Sequence, residues 1–144
     1  MKDAPLRSRL GSRTEASRRQ HRCLEQLLDN LLSAIETEAG FLEPFRTARS
    51  LAAEHYRAEA LLLAEIARHD AALAEKMTAQ HAEALEMAAA LEDAVAAGHT
   101  GDALLLARRF HAIAQHNIIE EERDVFPLAE RWDASGSGFG HGGV

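Results

Sequence analysis

Residues 71–97 read AALAEKMTAQHAEALEMAAALEDAVAA, and Gly98 follows. Alanine, leucine, glutamate and methionine are the residues that lose least on entering a helix. Leu73, Met77, Ala84, Leu91 and Val95 recur at spacings of four and seven, so they share one helix face. A glycine just past the last periodic residue is a helix stop. This one segment predicts an amphipathic helix about 40 Å long at roughly 1.5 Å per residue.

The same reading extends in both directions. A first helix is expected from Ser17 to about Glu38, with Leu24, Leu28, Leu31 and Ile35 inward and Gly40 beyond its end. A second starts at Pro44, where a first-turn proline is well placed. It runs to about Arg68, with Leu51, Leu62 and Ile66 on one stripe, and His69-Asp70 marks its boundary with the third. Thr100 or Asp102 caps a fourth helix that continues to about Phe126, with Leu106, Phe110 and Ile113 inward. Four such helices with short connections predict an all-α, up-down-up-down four-helix bundle over residues 17–132.

Composition agrees. The 144 residues include 29 alanines and 19 leucines, while aromatics make up 5%. Few β-branched residues argue against a sandwich, a barrel or a parallel sheet. A single cysteine, Cys23, permits no internal disulfide and no cysteine zinc site. No apolar run approaches the roughly 18 residues of a membrane span, and no secretion segment is evident, so a cytoplasmic location is expected. The net charge of -7 disfavours nucleic acid as a partner. Residues 1–16 read as a basic, flexible arm, and residues 133–144 as a glycine-rich flexible tail that includes His141.

The polar residues on the apolar stripes carry the functional information. His21 lies three before Leu24 and seven before Leu28. His55 lies four after Leu51, and Glu59 lies four after His55 and seven before Ile66. His81 lies four after Met77, His116 three after Ile113, and Glu120 four after His116. Each helix thus places a histidine on its core face, and the second and fourth add a glutamate one turn on. Burying a carboxylate costs several kcal/mol unless it is paired or bound to metal. Counted from the turns, these six residues reach a similar level in an antiparallel bundle. Imidazole with carboxylate suits iron, manganese or zinc. Two carboxylates, each flanked by histidines, point to two metals.

The lone His21, His55-x-x-x-Glu59, the lone His81 and the closing His116-x-x-x-Glu120-Glu121-x-x-x-x-Phe126-Pro127 resemble the hemerythrin-like, cation-binding (HHE) domain. The resemblance covers about residues 17–132. It implies an up-down bundle with two non-haem iron ions, for which zinc or manganese can substitute in isolated protein. Members of the family bind dioxygen, store iron, or sense oxygen, nitric oxide or redox state. By the resemblance, His21 and His55 serve one iron, His81 and His116 the other, and Glu59 and Glu120 bridge. The family's oxygen carriers use a fifth histidine on the third helix, where Met77 and Leu85 stand here.

Glu25 shares the His21 stripe and is a candidate extra ligand. His111 reads as structural, and Glu121 and Glu122 as solvated or just outside the ligand set. Three functions compete at this point. The chain can be a protein that binds or senses oxygen, nitric oxide or redox state at a di-iron centre. It can be a di-iron enzyme of peroxidase-like, ferroxidase or iron-centre-repair type. Or it can be a metal-free helical interaction module.

Overall fold

The computed structural model describes residues 4–37 and 40–134; residues 135–144 of the expected glycine-rich tail, with His141, lie outside them, whereas 133–134 belong to the last helix. The elements are α1 (Ala4–Glu36), α2 (Leu42–Ala67), α3 (Ala71–Ala96), α4 (Thr100–Glu120), a π turn (Glu121–Val125) and α5 (Phe126–Ala134). The chain is an all-α four-helix bundle, with no strand among the described residues. Helix α1 packs on α2, α2 on α3, α3 on α4, and α4 returns to α1, while α5 extends the fourth rod along α1.

The connections follow local chemistry. The side chain of Asp70 accepts the Leu73 N–H at 3.0 Å and so caps α3. Gly98 takes φ +78°, the left-handed conformation that ends α3 with little strain. Pro44 sits in the first turn of α2.

Two expectations about the helices change. The first helix begins at Ala4, well before Ser17, so residues 4–16 are helical and continuous with it. Pro5 lies in its first turn, and buried Thr14 and Ser17 extend the packed face toward that end. The fourth rod also does not stop at Pro127. The Phe126 N–H reaches back five residues to the Glu121 carbonyl. This wider turn lets the chain continue past the proline as α5.

The core has two apolar clusters. The larger holds Leu24, Leu28, Leu31, Ile35, Phe45 and Phe110, with the two phenylalanine rings edge-on at 5.3 Å. The smaller gathers Leu62, Ile66, Met77, Val125, Phe126 and Ala129 around the α2–α3 turn and α5. Buried polar residues lie on each rod between these clusters: His21, His55, Glu59, His81, Asn117 and Glu121.

Helix α4 is turned relative to the expected face. Its buried stripe is Ala103, Ala107, Phe110, Ala114 and Asn117, whereas Leu106 and Ile113 are half-buried. Ala84 and Ala88 of α3 are fully buried in the same cluster. Small residues at a helix contact admit close approach, and the larger side chains are left at its margins.

Candidate metal centre

Four groups converge between the clusters. One donor atom each from His21, His55, Glu59 and Glu121 lie within 4.8 Å of one another, and all four residues are buried. This group can hold a metal ion. His21 comes from α1, His55 and Glu59 from one face of α2, and Glu121 from the first residue of the π turn.

His81 closes the arrangement from α3. The Glu121 carboxylate places Oε1 2.9 Å from His21 Nε2 and 3.8 Å from His55 Nε2. Its other oxygen, Oε2, lies 2.8 Å from His81 Nε2. Glu59 repeats the division. Its Oε2 lies 3.2 Å from His55 Nε2 and 3.7 Å from His21 Nε2, and its Oε1 lies 3.4 Å from His81 Nε2. Each carboxylate therefore turns one oxygen toward the His21–His55 pair and the other toward His81.

The sequence placed His116 and Glu120 in this centre, and the structure does not bring them there. The His116 side chain is 63% exposed. Glu120 is turned toward α3 and the helix margin, where Lys76 at 2.7 Å, Arg123 at 3.1 Å, His116 at 3.0 Å and Gln80 contact its oxygens. The Lys76 and Gln80 hydrogen bonds hold its carboxyl down to about 2. The turned face of α4 explains the difference: residues 117 and 121 occupy the inward positions assigned to 116 and 120. Glu121, expected to be solvated or peripheral, is fully buried in the centre. Glu25 and His111 are only half-buried and lie outside the convergent group. Met77 is buried and Leu85 half-buried, as apolar packing residues.

Outer partners orient the imidazoles. The Nδ1–H of His55 donates to Gln20 Oε1 at 2.7 Å, and that of His21 donates to Glu122 Oε2 at 2.9 Å. Both contacts leave Nε2 directed at the carboxylates, with its lone pair available in the neutral ring. The His21 ring also packs 5.0 Å from the Phe126 ring, and the Arg18 guanidinium lies over the Phe126 ring while pairing with Glu130. His81 stacks on Tyr56 at 4.0 Å with an 11° tilt.

Several buried atoms take no hydrogen bond: both oxygens of Glu59, Nε2 of His55, Oδ1 of Asn117 and the Tyr56 hydroxyl. A buried polar atom left unpaired costs about 1–3 kcal/mol, and more when charged. A cation among these donors removes that cost for Glu59 and His55 together. The donor set, three imidazoles and two carboxylates, is one that suits iron, manganese or zinc.

Burial alone would lower the pKa values of His55 and His81, but the Glu121 and Glu59 carboxylates outweigh it and hold each at about 9. Burial would raise Glu121, and the His21 and His81 imidazoles at hydrogen-bonding distance, with the His55 imidazole nearby, hold it well below the usual range instead. A histidine whose folded pKa is raised stabilises the fold fully below about pH 6.5 and loses that effect as pH rises through the folded value. Chelator-treated protein is therefore expected to melt at a lower temperature at pH 9 than at pH 6.5. Thermal melts across that range check this, and a flat or rising profile contradicts it.

Compared with known proteins, the chain matches no family model, no curated protein and no solved structure. Among the described residues, no helix is long and apolar enough to cross a membrane. An apolar cavity of about 420 Å³ at the other end of the bundle is lined by Phe41, Leu42, Val95 and Leu104 and contains none of the candidate ligands.

Proposed function

We propose that the chain is a hemerythrin-like protein whose core holds two iron ions bridged by Glu59 and Glu121, and that it binds or senses dioxygen, nitric oxide or redox state. One observation carries the reading. Two buried carboxylates each direct one oxygen to the His21–His55 pair and the other to His81. A single ion would use one side of each carboxylate and leave the opposite oxygens facing His81 without a cation.

When bound, a pair of ferrous ions supplies electrons to a small diatomic ligand. The protein supplies the rest. His21 and His55 are oriented by Glu122 and Gln20, so their Nε2 atoms are in place before an ion arrives. The apolar clusters on either side exclude bulk water and strengthen the attraction of the carboxylates for cations. His81, at 7% exposure, is the most accessible of these ligands, so a small molecule would reach the centre from its side.

The His81 side has a single imidazole, and Met77 and Leu85 add no nitrogen donor to it. An under-liganded side favours a sensor or redox-active protein over a stable carrier. Protein assayed aerobically with iron in excess is expected to bind close to two irons per chain, with an absorption band from the ferric pair. After anaerobic reduction, admitted oxygen should restore the oxidised spectrum, and stripping the oxygen should not return the reduced one. Full recovery of the reduced spectrum without added reductant would show a carrier. Protein that binds no metal would leave the interaction-module reading.

A further inference from the structure

The two sides of the centre are built from different donors. Helix α2 presents His55 and, four residues on, Glu59. The fourth rod presents Asn117 and, four residues on, Glu121. An amide thus stands in α4 where α2 has an imidazole. Asn117 is fully buried. Its Nδ2 donates to Gln80 Oε1 at 2.9 Å and lies 3.8 Å from Met77 Sδ, placing the amide against the turn of α3 that carries His81. With the nitrogen so engaged, Oδ1 is left as a buried acceptor with no hydrogen bond.

Resting on the dinuclear reading above, we propose that the centre holds its two ions unequally. A first, tightly held ion takes His21, His55 and one oxygen from each glutamate. A second, exchangeable ion takes His81, the other two carboxylate oxygens and Oδ1 of Asn117. The first side offers two nitrogens and two oxygens, and the second one nitrogen and three oxygens. Imidazole is the better ligand for zinc and iron, whereas carbonyl and carboxylate oxygens suit harder cations such as manganese. The imidazoles of the first side are also locked by Gln20 and Glu122. Solvent access to the centre falls at His81, which is 7% exposed beside half-buried Gln80, whereas Asn117, His21, His55, Glu59 and Glu121 are at most 1% exposed.

The test uses the full chain, stripped with a chelator and titrated with Zn²⁺ by calorimetry, with zinc counted after gel filtration. Wild-type protein should retain one zinc per chain, and the second should bind at least about 100-fold more weakly, beyond what loss of an outer partner alone costs. Asn117→Ala should keep the first zinc and lose the second step. Asn117→His should retain two. Asn117→Asp, which keeps the shape and adds a charge, should tighten the second step more than about 10-fold, and circular dichroism confirms that each variant is helical. Two equally tight zincs in wild-type protein, or a second step unmoved in folded Asn117→Ala and Asn117→Asp, overturn the inference while leaving the dinuclear reading intact. A single zinc in both wild-type and Asn117→His protein overturns the inference and reduces the centre to one ion. Protein that takes up no zinc overturns both.

Discussion

Glu121→Gln is expected to lower metal affinity by more than about 100-fold, while Glu120→Gln leaves the tightly held metal in place. The first substitution removes the charge from a buried carboxylate whose two oxygens lie 2.9 Å and 2.8 Å from imidazoles on opposite sides of the centre. Changing an outer partner alone costs roughly 10–100-fold, so a direct ligand shared by both sides should cost more. The second substitution disturbs contacts with Lys76 and Arg123, whose side chains are largely exposed. The two glutamates are neighbours in the chain and identical in chemistry, so the contrast isolates position. Metal content after gel filtration measures it, and equal loss in both variants would contradict the geometry.

Chelation is expected to lower the melting temperature by roughly 10–15 °C, since a ligand at about 1,000 times its dissociation constant adds about 4 kcal/mol and a chain of this size shifts by about 2–4 °C per kcal/mol. The cause is the polar layer across the bundle. Without a cation, Glu59 keeps two buried oxygens that take no hydrogen bond, and two carboxylates face each other through imidazoles alone. Differential scanning calorimetry with and without chelator, at constant pH and ionic strength, measures the shift. Identical melts would show that the layer is satisfied without metal.

The bundle was largely legible because large apolar residues mark three of its rods. Leu24, Leu28, Leu31 and Ile35 are all buried, as their spacing requires, and Asp70 caps α3 at the boundary that only His69-Asp70 marked. His21, His55, Glu59 and His81 could be found as polar residues on those stripes. The fourth rod was misread by one position. Three consecutive glutamates, 120 to 122, give a four-residue pair with either His116 or Asn117, so spacing alone does not choose between them. Histidine is the more familiar ligand, and the spacing of Leu106 and Ile113 points to the His116 face. The deciding signal was the run of Ala103, Ala107, Phe110 and Ala114, which leads directly to 117 and 121. Alanine is frequent throughout this chain, and so its periodicity carried little weight. One residue amounts to about 100° of rotation, enough to move a side chain from the core to solvent. The π turn had no signal beyond Pro127, which by itself suggested an end.

Contact between helices through methyl groups also acts as a gauge of reach. Axes that meet through alanine can approach toward the near end of the roughly 8–10 Å range seen for packed helices. Ala84 and Ala88 on α3, with Ala107 and Ala114 on α4, are all fully buried. Across this seam a side chain with one methylene, Asn117, already contacts the opposite rod at Met77 and Gln80. Glu121, with two methylenes, extends far enough to meet His21 and His81 on different rods. Bulk added at 107 or 114 would widen the gap, and the first groups left short would be the shortest arms, so the methyl seam helps determine which side-chain lengths can serve the centre at all.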